Sequence, residues 1–541
     1  MRIRDGLIAY STSAIQGDIR KRDGDIAFRR LLGECGVVSL GDDLTNSVGR
    51  KWRAAMGKLG FIYPEVKRTL GQDQNLIGPI DRITPAGWNL IRAETVPAMQ
   101  ECYLRAMVTP LTSAGCQTFS PLCWTLAILL ELERRGEEPS VRFIEMATIV
   151  QTTTPLDGLP ETVDRVLALR SRRMAAERKR VFDRTEYNRA ADELGCKPHT
   201  FNDYADMNMR YLKATGMVQS KGKGIALIPE KRALAVALTG KLLTNEPVIG
   251  LYQSLCNGTA LPTDHAAVAY QVLEDLLQQI QNHGITYSLT GKPLDTPVQI
   301  NQVRYEIEEL IAEKKEEVYA QGQAEQWEEI AAYMDLIASR KDRIRLSEDL
   351  EIRVPRTEAP AYLEWSLWRA FLAIDTLSNK PYEVRRFKID QDFMPVSTAP
   401  GNGPDLIAEF EDYVIVIEVT LSESSRQEAM EGEPVRRHVA DLVLQYDKPV
   451  YGLFIANRID SNTAETFRIG VWYTKEDHRM DLHIVPFTLA QFSSFFKAIF
   501  TSGTAAPQAV IDLMSECEQY RHTCEAPAWK AAISQVVESR C

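Results

Sequence analysis

The sequence predicts a multidomain chain, rich in α-helix, that ends in an α/β domain with a mixed β-sheet flanked by helices. Three observations carry this expectation. A helix, helix, strand, loop, strand order, the winged-helix order, occurs twice before residue 243. From about Thr244 to Leu350 the composition shifts to helix formers, and from Leu406 to Thr420 two apolar runs are broken only by Glu411-Asp412, which reads as a β-hairpin. The expected divisions are 1–110 and 111–243 for two winged-helix-like units, 244–350 for a helical linker and 351–541 for the α/β domain.

With 541 residues and 45% hydrophobic content, the chain has material for about three or four buried cores. No stretch approaches the ~18 unbroken apolar residues of a membrane span, and the start, M-R-I-R-D-G-L-I-A-Y, lacks a signal-peptide core. The expectation is a soluble cytoplasmic protein without a membrane partner. Nine cysteines form neither a C-x-x-C pair nor a Cys/His cluster, so reduced thiols are expected and no zinc site is readable. The net charge of -11 argues against a protein that coats DNA indiscriminately. The charge is uneven, however: Glu306 to Glu351 is acidic and Arg165 to Arg189 is basic. A local basic face can engage phosphates within an acidic whole.

In the first unit, Ala27, Phe28, Leu31 and Leu32 share a helical face, and Val48, Trp52, Ala55, Met56 and Leu59 repeat at helical spacing. Gly60 ends this second helix, Phe61-Ile62-Tyr63 reads as a strand, and Arg82-Ile83-Thr84 returns across a polar loop. Thr84 and Pro85 then suit the N-cap and N1 positions of another helix. Arg50, Lys51 and Arg53 fall on the second helix, where they serve equally as a groove-entering set or a solvated face.

In the second unit, Thr185 to Leu194 is a short helix and Gly195 to Pro198 a turn. Phe201, Tyr204, Tyr211 and Leu212 mark a longer amphipathic helix, and Met217-Val218 and Ile225 to Ile228 make a wing around K-G-K-G. In helix-turn-helix docking the first turn of the second helix meets base edges, which places Lys197, His199, Thr200, Asn202 and Asp203 at a reading edge. Asn and Lys can hydrogen-bond purines, and Lys221 and Lys223 on the wing suit phosphates.

Within the linker, Val303, Ile307, Leu310 and Ile311 and then Trp327, Ile330, Ala331, Met334 and Ile337 keep an apolar stripe that breaks near Gly322, so a long coiled coil is disfavoured. Beyond it, Tyr362, Trp365, Leu367, Trp368 and Phe371 mark a helix carrying Glu364. Pro434 starts a helix with Val435, Val439, Leu442, Val443 and Tyr446 inward, and Val450 to Ala456 and Leu482 to Phe487 are strands. A hairpin turn at Glu411-Asp412 pairs Phe410 with Tyr413, Ala408 with Ile415 and Leu406 with Ile417. Asp405 then falls opposite Glu418. Like charges directly opposite are destabilising, and a divalent cation would resolve the repulsion. Two carboxylates and the Val419 carbonyl form an all-oxygen set suited to Mg2+. A charged rim on an ordinary sheet produces the same spacing.

Pro404-Asp405 followed by Glu418-Val419-Thr420 resembles the metal site of PD-(D/E)XK nucleases, with Thr420 where the usual Lys would stand. P-V-S-T-A-P-G-N-G-P-D, E-D-Y-V-I-V-I-E-V-T, M-E-G-E-P-V-R-R-H, L-E-W-S-L-W and Y-L-K-A-T-G-M-V with I-P-E-K are similar to the AlwI family of type IIS restriction endonucleases, which includes strand-nicking members. The resemblance spans most of the chain and is strongest from Tyr362 to Phe487. It implies N-terminal recognition domains, a helical linker and a C-terminal PD-(D/E)XK nuclease domain. It further implies a site of Glu364, Asp405, Glu418, the Val419 carbonyl, Glu431 and His438. Family members also carry Thr after E-V.

On that reading Asp405 and Glu418 hold Mg2+, Glu364 is an outer ligand through water or an exposed helix carboxylate, and Glu431 replaces the Lys by orienting or deprotonating water. His438 is either a satisfied core imidazole or a proton carrier. The expected activity is hydrolysis of double-stranded DNA a few base pairs outside an asymmetric site, one strand per event. A second nuclease subunit or a transient homodimer would complete double-strand cleavage. The alternative is a DNA-binding specificity subunit or winged-helix regulator with an inactive nuclease domain, against which the intact Asp405, Glu418 and Glu431 argue. A structure-selective repair nuclease would leave two recognition modules unexplained.

Overall fold

A computed structural model describes residues 2–38, 47–347, 351–422 and 427–541. Leu350, the expected end of the linker, and part of the polar stretch expected after Thr420 lie outside the described residues. The chain divides into two compact units, Met1–Ile311 and Ala312–Cys541.

In the first unit the helix α1 (Ser47–Lys58) ends before Gly60, which adopts φ +70. That left-handed conformation favours glycine and turns the chain out of the helix. Ile62 and Ile83 then meet in an antiparallel bridge, and Tyr63 N–H donates to the Arg82 carbonyl at 2.9 Å. The expected strands are thus a minimal pairing, and the intervening loop carries a short helix, Val66–Leu70. Thr84 caps α2 (Pro85–Arg92) as its spacing predicts: its hydroxyl accepts from Gly87 N–H at 2.9 Å.

Further along, β1 (Ser140–Val141) precedes α3 (Lys179–Leu194), which starts earlier than the Thr185 expected from sequence. After the turn at Gly195 come α4 (Pro198–Ala214), β2 (Val218–Lys221) and β3 (Gly224–Leu227), and the strands order as β1-β3-β2. Lys221 pairs with Gly224 at the turn, so both wing lysines stand at one end of the ribbon. The buried face of α4 is Phe201, Ala205, Met209 and Leu212. Tyr204, expected inward, is instead 53% exposed. It lies one residue, about 100° of helical rotation, off that stripe.

The helix α5 (Pro297–Gln321) buries Ile300, Val303, Ile307 and Ile311 against Ala269, Leu273, Leu276 and Ile280, and it stops before Gly322.

In the second unit α6 (Trp327–Ala338), expected as spacer, contributes Ile330, Met334 and Ile337 to the same core as Trp365 and Phe371. Two short antiparallel strands, Arg343–Arg345 and Glu351–Arg353, follow it. The central helix α7 (Ala359–Ile374) is buried from Ala361 onward.

A four-stranded sheet is built from β4 (Leu406–Glu409), β5 (Val414–Thr420), β6 (Val450–Ala456) and β7 (His483–Thr488) in the order β4-β5-β6-β7. The first pairing is antiparallel and the other two are parallel. A sheet covered by helices needs strands that are apolar on both faces, and Val414 to Ile417 are all fully buried. α7 packs on β4 and β5, and α8 (Glu433–Val443) packs on β5 and β6. Among the described residues no helix is long and apolar enough to cross a membrane. All nine cysteines are free thiols.

Candidate active site

The hairpin holds the register read from sequence: Leu406 pairs with Ile417 and Ala408 with Ile415, and Phe410 N–H donates to the Tyr413 carbonyl at 2.9 Å. Asp405, one residue before the ladder, therefore stands opposite Glu418. Asp405 Oδ2 accepts from Val419 N–H at 2.9 Å, which fixes the carboxylate against the end of β5.

From α7, Glu364 enters the same space. It is 5% exposed, so the solvent-facing alternative is overturned, and its Oε2 accepts from Ala399 N–H at 2.7 Å. From α8 comes His438, whose Nδ1 lies 2.6 Å from Glu418 Oε1 while its buried Nε2 has no hydrogen-bond partner among the described residues. Glu431 is half-buried on a π-helical turn, Glu428–Gly432, that leads into α8. Such turns are uncommon and recur at functional sites.

Burial and mutual repulsion set the electrostatics of these carboxylates. Burial, with the charges of Asp405 and Glu418 added, pushes Glu364 up to about 9, against the Ala399 N–H. Burial and then the Glu418 charge push Asp405 up to about 7, opposed by the Val419 N–H. Glu418 is raised well above the usual carboxylate range by burial and by Glu431, with Arg386 and Arg437 opposing. His438 is lowered by burial and by Arg437, so its neutral form is favoured.

Among the described residues, no group of three or more His, Cys, Asp and Glu side chains is placed to hold a metal ion. Two opposed carboxylates beside the Val419 main chain offer the oxygen donors that a hard cation such as Mg2+ takes. A cation there would also remove the repulsion that raises Asp405.

One neighbour has no counterpart in the sequence reading. Arg386 donates from Nη1 to the Pro404 carbonyl at 3.0 Å and from Nη2 to Asn402 Oδ1 at 2.7 Å, so it grips the loop that delivers Asp405. Its sequence signal is slight: one of two adjacent arginines between a short helix and a strand. The G-N-G-P-D run that it grips is the better clue, because a Cβ on Gly403 would collide with the Arg386 guanidinium.

The basic residues of the first unit are dispersed in role. Arg50 and Lys51 are exposed on α1. Arg53, expected on the same outward set, turns inward, donating to the Ile19 carbonyl and pairing with Asp25 at 2.7 Å. At the start of α4, Lys197 and His199 are exposed, as is Asp203, while Thr200 and Asn202 are half-buried. Asn202 Oδ1 is buried without a partner among the described residues. On the wing Lys223 is exposed and Lys221 pairs with Glu138 at 2.9 Å. Much of the basic stretch is neutralised internally: Arg172 and Arg189 hold Glu186, and Arg173 holds Asp183 at 2.7 Å.

The family described as AlwI restriction endonuclease matches residues 57–495. No curated protein matches the chain. Among solved structures, the small subunit (R.BspD6I2) of the heterodimeric restriction endonuclease R.BspD6I is 21% identical with a TM-score of 0.31, covering 39% of this chain and 98% of its own. The restriction endonuclease FokI is 10% identical with a TM-score of 0.22, covering 95% of this chain and 96% of its own.

Proposed function

The chain belongs to the AlwI restriction endonuclease family, and from that premise we propose that it is a type IIS enzyme whose C-terminal unit nicks DNA outside an asymmetric site with Mg2+. The observation that carries the proposal is the convergence of Asp405, Glu418, Glu364 and His438 from one hairpin and two helices into a space with excess negative charge.

Each residue has a role that its placement supports. Asp405, Glu418 and the Val419 carbonyl would hold the ion, and Glu364 would act from the outer side while it ties down Ala399. Mg2+, when bound, supplies Lewis acidity to the phosphate and to water. Glu431 orients the attacking water and accepts its proton. One P–O bond to water forms as one P–O ester bond breaks, and the departing oxygen takes up a proton. His438 holds Glu418 through Nδ1 and leaves Nε2 as a second proton acceptor.

For recognition we assign two winged-helix-like modules to the first unit. In the second module Lys197, His199, Thr200 and Asn202 face base edges, while Lys223 and Lys221 face phosphates. Arg50 and Lys51 serve the first module; Arg53 holds its helix in place. One catalytic site per chain addresses one strand per event, so double-strand cleavage calls for a second nuclease subunit or a transient homodimer through the C-terminal unit.

Sequencing the ends produced from plasmid DNA with Mg2+, and with EDTA as control, tests the whole reading. A single strand cut at a constant offset from one asymmetric sequence is the expected result. Ends at random positions, or cleavage that persists in EDTA, would sink it.

A further inference from the structure

The lysine usual in the PD-(D/E)XK motif is a threonine here, Thr420, so β5 brings no positive charge to the reacting phosphate. The charge is present nonetheless, on a different segment. Arg386 is close enough to Glu418 and to His438 to act on both through its charge. Its guanidinium spends one N–H on the Pro404 carbonyl and one on Asn402 Oδ1, and among the described residues it forms no ion pair with a carboxylate. A guanidinium has five N–H donors, so donors remain for an oxyanion.

The fold holds this side chain in position from two directions. Arg385, next to it, makes a two-point ion pair with Glu316 at 2.6 Å, and Glu316 is 3% exposed; Arg385 also donates to the Phe387 carbonyl at 2.8 Å. That arrangement fastens the main chain on both sides of Arg386. Gly403 supplies the space: any larger residue would place its Cβ against the Arg386 guanidinium. The other nearby arginines are engaged elsewhere. Arg437 is paired along α8 with Glu433 at 3.2 Å, and Arg436 donates to the carbonyls of Gly432 and Val471.

We infer that Arg386 is the cation that contacts the scissile phosphate in the transition state, supplied from the segment before the hairpin in place of the lysine that β5 lacks. A planar, always charged fork suits phosphate oxygens. The inference rests on the nuclease reading above, and it adds a catalytic residue outside the carboxylate motif.

The test is single-turnover cleavage of a saturating one-site duplex by the full chain with Mg2+, comparing wild type, Arg386→Ala and Arg386→Lys, with duplex affinity and melting temperature measured on each. Arg386→Ala should cut about 10²–10³-fold more slowly, the loss expected from one transition-state donor. Affinity should stay within about threefold, because on the proposed reading most phosphate contacts belong to the first unit. Added guanidinium ion at low millimolar concentration should restore at least about tenfold of the Ala variant's rate, and Lys should retain more activity than Ala by its charge.

A rate for Arg386→Ala within about fivefold of wild type would overturn the inference. So would a loss without guanidinium rescue in which Lys and Ala fall equally and both melt lower, the signature of a residue that only holds the loop. Wild-type protein that cleaves nothing would instead count against the nuclease reading itself.

Discussion

Replacing Asp405 with Asn should separate two properties that mutations usually lower together, abolishing cleavage while making the metal-free protein more stable. In the folded state Asp405 faces Glu418 without an ion-pair partner among the described residues, and its pKa rises from 3.8 to about 7. That rise corresponds to roughly 4 kcal/mol of unfavourable charge once the proton has left. Residual solvent contact reduces this to about 2 kcal/mol. The folded protein thus retains a proton that the unfolded chain has already lost. The Asp405 contribution is fully present below about pH 4 and disappears as the pH rises through about 7.

Asn cannot ionise, so the variant should gain over wild type at pH 8 in EDTA and match it only below about pH 4. For a unit of this size the gain corresponds to about 4–8 °C in the melting temperature of the C-terminal transition. Mg2+ should then stabilise wild type but not the variant, reversing the order. Differential scanning calorimetry at both pH values, with and without the ion, reads all of this. An Asn variant less stable than wild type at pH 8 in EDTA would refute the argument that the hairpin carries unneutralised charge.

Four further outcomes are expected. A fragment of residues 1–311 should bind the target duplex with an affinity that falls steeply with salt, as titration of a labelled duplex would show; one ending near Leu243 should not fold, because Leu255, Leu261 and Val272 belong to the cores of that unit. Supercoiled plasmid with one site should accumulate as open circle at low protein on a gel, and linear product without that intermediate, unchanged on dilution, would contradict one-strand cleavage. Arg369→Ala should destabilise the C-terminal unit by about 3 kcal/mol in urea unfolding, since Arg369 is 1% exposed and donates to Gln323, Gln326 and Glu329. Glu131, held near pKa 2 first by its hydrogen bond to Arg134 and then by Arg135, should contribute stability that is present above about pH 4.5 and lost as pH falls through 2; Glu131→Gln should flatten that part of the acid unfolding curve.

What could be read in advance followed from periodicity and register. The hairpin was legible because strand side chains alternate with a period of two, so one polar pair at Glu411-Asp412 sets every partner down to Asp405 and Glu418. Thr84-Pro85 announced a helix start by chemistry alone. Contacts between segments distant in sequence were not legible. An apolar stripe on α6 says that the helix packs, not on what, so its place in the core of Trp365 and Phe371 needed three dimensions. Arg53 and Arg386 look alike in sequence, each in a short run with other basic residues and an aromatic neighbour. One is spent on Asp25 and the other stands beside Glu418. Tyr204 failed for a smaller reason, since one residue of helical phase moves a ring from core to surface.

The tight connection between β4 and β5 is also a measuring device. Phe410 and Tyr413 close the hairpin across two residues, so the length of that connection, rather than any side chain in it, decides whether Asp405 and Glu418 meet. A change of sequence at Glu411 or Asp412 leaves the count intact, and many residues should be accepted there. A single inserted or deleted residue shifts the pairing by one and turns each side chain of β4 to the opposite face of the sheet. During divergence of such enzymes this segment is therefore expected to vary freely in composition and hardly at all in length. A library that randomises both positions should return active clones in quantity, whereas a library of lengths should return only the parental one.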